Sequence, residues 1–286
     1  MSEKEIDEVS GVPTTGHEWD GIRELDNPMP RWWLWTFYVT IAWALIYTIL
    51  YPAWPLVSTA TSGLLGYSSR GDVRHELAAA GAEQEKFFAA IGEKSVDEIA
   101  TDDELHQFAV AAGSAAFKIN CIQCHGSGAE GSAGFPNLND DEWLWGGSPE
   151  QIYQTISHGV RFAADSETRV SEMPAFADVL DRDQIEQVSA FVASLSGPAA
   201  PELVEPGARL FAENCAACHG DGAKGSPELG APDLTDAIWF YGSGQAAIAA
   251  QVRAPKHGVM PGWAARLGDT TVKELAVFVH SLGGGE

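Results

Sequence analysis

The four cysteines of the 286-residue chain fall in two pentapeptides of the form Cys-x-x-Cys-His. Two thiols at this spacing reach the two vinyl groups of one porphyrin, and the adjacent histidine lies under the iron. A zinc site built from the four cysteines would need no histidine after each pair. A thioredoxin-like redox pair would need a βαβ context, which is absent. Two ordinary disulfides would not explain a histidine directly after each cysteine pair. The motifs therefore predict two covalently bound haems c, with Cys121, Cys124, Cys215 and Cys218 as thioether sites and His125 and His219 as iron ligands.

The surroundings of the two motifs repeat, which indicates two copies of one small unit rather than a solenoid. The spacing between matching positions is the same before each motif and at the end of each copy. The matching pairs are Gly113 and Gly207, Phe117 and Phe211, Pro136 and Pro232, Trp143 and Trp239, Met173 and Met260, and Phe191 and Phe278.

Each repeat is predicted to be mostly helical. Apolar residues recur at helical spacing near the end of each copy, over 185–195 and 272–282. Shorter helices are expected around 149–157 and 245–253, within loops that are rich in glycine and proline. This pattern predicts a mainly α fold.

With its haem signature and helices, each repeat resembles a class I cytochrome c domain. The resemblance covers residues 106–196 and 203–286, and the proline-containing segment 197–202 is expected to be the linker between them. The resemblance implies that two such domains follow one another along the chain.

Met173 and Met260 are the predicted second axial ligands, because each precedes a proline and lies 18 residues before the matching phenylalanine. A thioether opposite histidine raises the reduction potential and closes the iron to outside ligands. The rivals are His158 and His257, which lie 15 and 3 residues before their methionines. A ligand should keep one spacing, so we interpret these histidines as loop residues and the 12-residue difference as an insertion near 161–172.

Two further pairs are candidates for the haem surroundings. Trp143 and Trp239 are expected to pack on the haems, and their indole N–H groups could reach a propionate. Arg161 and Arg169 lie in the insertion, where they could pair with propionates, although a solvated surface charge is the commoner role of an arginine.

A membrane anchor is predicted at residues 31–52, because no charged residue occurs from 32 to 69. The run Trp32–Tyr51 contains twenty mostly apolar residues, about 30 Å of helix, which matches the hydrocarbon core of a bilayer. Aromatic residues lie at both ends of the run, as at the two membrane interfaces. A signal peptide would be shorter and would not follow an acidic segment, so the span is expected to be uncleaved.

Charge and haem attachment together predict the topology. Attachment at such motifs takes place outside the cytoplasmic membrane in bacteria, so the haem domains should be periplasmic, beyond a connecting segment at 53–105. Residues 1–30 then form a cytoplasmic tail, which agrees with Arg31 at the inner end of the anchor.

The net charge of −23 argues against a nucleic-acid partner and favours a basic one.

The segment Gly16–Trp33, the anchor and two haem domains, in this order, resemble the dihaem membrane-anchored subunit III of cbb3-type cytochrome c oxidases. The resemblance implies a non-catalytic electron-transfer subunit in the bacterial inner membrane. It would accept electrons from donor cytochromes c and pass them through a monohaem subunit to the catalytic haem–copper subunit. It further implies His125/Met173 and His219/Met260 as ligand pairs. A free anchored dihaem carrier and a dihaem peroxidase, which needs an open iron, remain alternatives.

Overall fold

The computed structural model describes residues 5–284, and these residues are mainly helical, as the sequence predicts. The chain divides into two compact units, of which the first ends at Ala82 and the second begins at Glu83. The first unit contains the predicted anchor, and the second contains both Cys-x-x-Cys-His motifs.

The first unit begins with an antiparallel hairpin of β1 (Thr14–Trp19) and β2 (Ile22–Leu25). Asp20 and Gly21 connect the strands, and both have positive φ angles, 48° and 82°. This is the conformation of a type I′ turn, for which Asp-Gly is a favoured pair. The sequence analysis predicted only a tail here, although the Asp-Gly pair was a signal for the hairpin.

Helix α1 (Arg31–Leu50) follows the hairpin and agrees with the predicted span. Pro30 precedes it and Pro52 follows it, which limits the helix at both ends. None of its residues is buried, and within residues 5–284 it is the one helix long and apolar enough to cross a membrane. Helix α2 (Ser69–Glu93) lies in the predicted connecting segment.

Besides the C-terminal end of α2, the second unit contains ten helices among its described residues. These are α3 (Val96–Thr101), α4 (Asp103–Asn120), α5 (Ile122–His125), α6 (Pro149–His158), α7 (Arg182–Ser196), α8 (Pro201–Asn214), α9 (Ala216–His219), α10 (Gln245–Arg253), α11 (Ala264–Leu267) and α12 (Asp269–His280). Helices α6 and α10 correspond to the short helices expected between the motifs and the repeat ends. Capping boxes begin α6 and α7, because Ser148 and Asp181 each exchange hydrogen bonds with a glutamine three residues later.

Two separate hydrophobic clusters form the interior of this unit. The first core lies among α3, α4, α6 and α12, and the second core lies among α7, α8 and α10. The largest buried members of the first core are Ile91, Ile99, Leu105, Phe117, Ile152, Ile156, Val272, Leu275 and Val279. Those of the second core are Leu180, Ile185, Val188, Val192, Phe211, Ile248 and Val252.

The two repeats exchange their C-terminal parts between the cores. Helix α12 ends the second repeat, yet it packs on α4 and α6 of the first repeat. Helix α7 ends the first repeat, yet it packs on α8 and α10 of the second. Neither of the predicted ranges 106–196 and 203–286 therefore contains one whole hydrophobic core, and the domain boundaries themselves stay a prediction.

The short connection between α7 and α8 explains this exchange. Only residues 197–200 join the two helices, and helices joined by so few residues pack as antiparallel neighbours. Pro201 begins α8, a position that suits proline, so the helix takes up part of the predicted linker at 197–202. The terminal helix of the first repeat is thereby committed to the second core.

One glycine in each core permits the close crossing of the exchanged helices. A Cβ atom on Gly113 would lie 2.2 Å from the carbonyl oxygen of Glu274 in α12. A Cβ atom on Gly207 would lie 2.0 Å from the carbonyl oxygen of Gln187 in α7. These glycines, which the repeat pattern had matched, allow α4 to touch α12 and α8 to touch α7.

Candidate haem sites

The first motif lies where α4 passes into α5, at the edge of the first core. Cys121 packs against this core, and Cys124 is exposed. The Nδ1 atom of His125 lies 3.1 Å from the carbonyl oxygen of Pro136. A carbonyl only accepts, so Nδ1 carries the proton and Nε2 keeps a free lone pair for a metal. Burial lowers the pKa of His125, which favours this neutral form.

The second motif has the same geometry beside the second core. Cys215 packs against that core, and the Nδ1 atom of His219 donates to the carbonyl oxygen of Pro232 at 3.2 Å. Burial again lowers the pKa of the imidazole. The repeat pattern had matched the two prolines, and in the structure the carbonyl oxygen of each orients the histidine ring of its motif.

No disulfide joins any of the four cysteines, all of which lie among the described residues. Burial, with the neighbouring thiol as a smaller cause, raises the pKa of Cys121 and of Cys215 to about 11. Both motifs line one continuous, largely apolar cavity of about 460 Å³. A cysteine pair beside an oriented imidazole, at the wall of an apolar cavity, fits a covalently attached haem better than a zinc ion or a disulfide.

The candidate methionines lie on the exchanged segments. Met260 packs against the first core together with Cys121, Leu138 and Trp143. Met173 packs against the second core with Cys215. Each methionine therefore packs on the core beside which the motif of the other repeat lies, whereas the resemblance implies His125 with Met173 and His219 with Met260, so the ligand pairs stay a prediction.

Backbone hydrogen bonds hold both methionine segments in these positions. Val160 and Met260 exchange two N–H···O bonds of 2.9 and 3.0 Å, so Met260 is tied to the end of the first repeat's α6 region. The N–H of Trp263 donates to the carbonyl oxygen of Ile156 at 2.9 Å. On the other side, the N–H of Phe176, three residues after Met173, donates to Val252 at 3.1 Å.

The rival histidines occupy two different settings. His158 ends α6, and its two ring nitrogens lie 3.0 Å from Asp165 and 3.1 Å from Glu167. Carboxylates from the insertion therefore occupy both nitrogens. His257 lines the cavity, and its Nε2 atom is buried without a hydrogen-bond partner among the described residues.

The tryptophans and arginines named from the sequence also lie near the cores. Trp143 packs on the first core and Trp239 on the second. The indole N–H of Trp143 donates to the carbonyl oxygen of Gly284. The guanidinium groups of Arg161 and Arg169 both donate to backbone carbonyls.

The sequence analysis missed a contact between the two repeats at the cavity. Trp145 covers Gly230, where an added Cβ would lie 2.3 Å from the indole, and Tyr241 lies over Gly134. Glu142 accepts a 3.3 Å bond from the N–H of Asp233. Burial, and then a hydrogen bond with Asp236, raises the pKa of Glu142 to about 7. The sequence signal for this contact was the match between Trp-x-Trp-Gly and Trp-x-Tyr-Gly. Spacing along the chain does not show that Trp145 and Tyr241 each pack on a glycine of the other repeat.

A helix fit to cross a membrane, together with helical Cys-x-x-Cys-His sites in an apolar cavity, defines a membrane-anchored c-type cytochrome. Two family models match the chain. The N-terminal domain of cytochrome oxidase-cbb3, FixP, matches residues 11–58. The model for cytochrome c oxidase, cbb3-type, subunit III matches residues 108–192 and 202–279.

Curated relatives match over nearly the whole chain. The cbb3-type cytochrome c oxidase subunit FixP of Sinorhizobium medicae (strain WSM419) is 62% identical, covering 99% of this chain and 98% of the relative. Subunit FixPc of Rhizobium leguminosarum bv. viciae is 62% identical and covers 100% of both chains. Subunit CcoP of Cereibacter sphaeroides (strain ATCC 17023) is 52% identical, again over 100% of both.

The chain therefore belongs to the FixP/CcoP family of cbb3-type cytochrome c oxidase subunits. This confirms the resemblance found in the sequence. It is a membrane-anchored cytochrome c that transfers electrons within the oxidase, and it carries haem c, as its cytochrome c domains imply. Its partners include other subunits of that oxidase.

Proposed function

We propose that the chain binds two haems c, one at each motif, and that both irons carry a histidine and a methionine. The thioether sites are Cys121 and Cys124 in the first core and Cys215 and Cys218 in the second. The axial pairs are His125 with Met260 and His219 with Met173. The bound haems supply one-electron redox chemistry, and the chain supplies attachment, axial ligands and an apolar surrounding.

The packing of the methionines carries this proposal. Met260 lies in one cluster with Cys121, and Met173 lies in one cluster with Cys215. Further support comes from the prolines at 136 and 232, whose carbonyls fix the histidine tautomer that can ligate. With two ligands from the chain on each iron, neither site is open to oxygen, so the role is conduction.

The ligand pairing is tested in a variant that lacks the first haem. Replacing Cys121 and Cys124 by alanine leaves only the haem at Cys215 and Cys218. In this background we expect Met173→Leu to abolish the ferric methionine–haem charge-transfer band and to permit CO binding to the reduced haem. Met260→Leu and the control Met29→Leu should leave both properties unchanged. The reverse result, with Met260→Leu opening the remaining haem, would restore the pairing implied by the resemblance.

We further propose that residues 1–30 are cytoplasmic and that both haem sites are periplasmic. Within the oxidase, the chain accepts electrons from donor cytochromes c and passes them through a monohaem subunit to the catalytic haem–copper subunit. After residue 69 the sequence has 14 basic and 32 acidic residues, and this negative surface would attract a basic donor. Purification of a tagged chain from native membranes should recover the haem–copper and monohaem subunits. Recovery of the chain alone would contradict this placement.

A further inference from the structure

Arg161 lies between the two segments that carry the methionines. Its Nε atom donates to the carbonyl oxygen of Gly258 at 2.7 Å, and its Nη1 atom donates to that of Ser171 at 2.7 Å. Gly258 is two residues before Met260, and Ser171 is two residues before Met173. One guanidinium therefore joins the approach to one methionine to the approach to the other.

The backbone around Arg161 holds the side chain in this position. Val160, the residue before it, forms the paired hydrogen bonds with Met260, and the N–H of Arg161 itself donates to the carbonyl oxygen of Arg169 at 2.6 Å. The guanidinium is half-buried at the cavity wall, where the carboxylate of Glu172 attracts it without a hydrogen-bonded ion pair among residues 5–284. Its hydrogen-bonding capacity is thus directed to the two carbonyls rather than to a charged partner.

The conformation of Arg161 is a second, independent observation. Its φ angle is +52°, a left-handed conformation that glycine adopts far more readily than a residue with a long side chain. An arginine at such a position carries a backbone cost that glycine would avoid. We therefore attribute the arginine at this position to the hydrogen bonds of its side chain rather than to its backbone conformation.

We propose that Arg161 is a positioning residue that fixes both methionine segments at once. This inference rests on the proposed function, in which Met173 and Met260 are the distal ligands. A charge-assisted bond to each segment limits how far either methionine can move away from its core. Loss of one side chain would then loosen the distal side of both haem sites, although these sites belong to different cores.

Arg169 provides a matched control from the same insertion. It is also half-buried, and its Nη1 atom donates to the carbonyl oxygen of Trp145 at 2.5 Å while its Nη2 atom lies 3.0 Å from Oε1 of Gln154. It also lies over the ring of Trp145, with its Cζ atom 5.3 Å from the ring centroid. Within residues 5–284, its side chain donates no hydrogen bond to either methionine segment.

The test uses the full chain purified with its haems and compares Arg161→Ala and Arg161→Gly with Arg169→Ala. The glycine variant fits the left-handed backbone, so it removes the side chain even if the alanine variant folds poorly. In both Arg161 variants we expect amide hydrogen exchange to accelerate roughly tenfold over 170–173 and over 257–260, as for the loss of a charge-assisted bond at each. The ferric methionine–haem band should weaken for both haems, and Arg169→Ala should accelerate exchange in neither segment.

Three results would overturn the inference: faster exchange in only one of the two segments, faster exchange in neither, or an equal effect of Arg169→Ala. The exchange measurement does not depend on what the methionines bind. If both segments loosen but the methionine variants described above leave the haem spectrum unchanged, Arg161 still joins the segments and the ligand assignment is what fails.

Discussion

The two cores contain equivalent helices and motifs, yet they are assembled from the chain in opposite ways. The second core uses one continuous stretch from Met173 to Val252. The first core combines residues 87–156 with residues 260–282, and the whole second core lies between these two parts of the sequence. In the sequence, one core is thus inserted into the other, and each core takes helices from both repeats.

This difference has a physical consequence for assembly. Loop closure costs more entropy as the intervening chain lengthens, and contacts between distant residues slow folding. The helices of the second core all come from one continuous stretch of the chain, so little intervening chain has to be closed. The first core is completed only when α12, at the end of the chain, reaches α4. We therefore expect the second core to be the more autonomous of the two.

Truncation should separate the cores most strongly. A chain that ends at Val259 lacks Met260 and α12, so the first core loses a whole helix while every buried member of the second core remains. We expect the haem at Cys215 and Cys218 to keep its methionine band and the haem at Cys121 and Cys124 to bind CO. A chain that ends at Gly284 serves as the control. If the truncated chain loses the band of the second haem instead, the repeats fold consecutively after all.

Single core substitutions should give the next largest effect. Leu275 in α12 and Ile185 in α7 are both almost fully buried, but the first belongs to the first core and the second to the second core. Replacement of either by alanine should lower the free energy of unfolding by about 2–5 kcal/mol. Hydrogen exchange should show the loss of protection in α4 for Leu275→Ala and in α8 for Ile185→Ala. Protection lost in the opposite helices would contradict the exchange.

A buried carboxyl group provides a smaller and pH-dependent difference. Burial raises the pKa of Glu274 in α12 to about 7 from an ordinary value of 4.5, whereas Gln187 is at the matching place in α7. Between these pH values the folded state binds more protons than the unfolded state, so stability falls as the pH rises toward 7 and then levels off. The full loss is at most about 3 kcal/mol.

The Glu274→Gln variant removes this titration. At pH 4.5 the variant and the unmodified chain should have similar free energies of unfolding in urea. As the pH rises to 8, the variant should become progressively more stable than the unmodified chain. The companion variant Gln187→Glu should create a slope of the same sign but smaller size for the second core, because position 187 is only half-buried. Parallel stability curves for the Glu274→Gln variant and the unmodified chain would show that this carboxyl does not titrate in that range.

Much of the site could be predicted because it is encoded locally. The spacing of two cysteines and a histidine, the twenty-residue apolar run and the helical periodicity all depend on neighbours in the sequence, and α1, α6 and α10 have nearly the predicted bounds. The partners of Met173 and Met260 depend instead on which helices pack together. The short connection of four residues between α7 and α8 indicates that these two helices pack together. It was not interpreted in this way because each repeat by itself resembles a complete cytochrome domain.

The nested arrangement limits how genes for such chains can be recombined. A breakpoint between the repeats, near residue 200, would part α7 from α8 and leave each motif without the methionine that packs beside it. The cassette that could be moved or replaced in a chimera as one piece is instead the block from about 170 to 258. A chimera that keeps each core intact must therefore exchange this block rather than either of the sequence repeats.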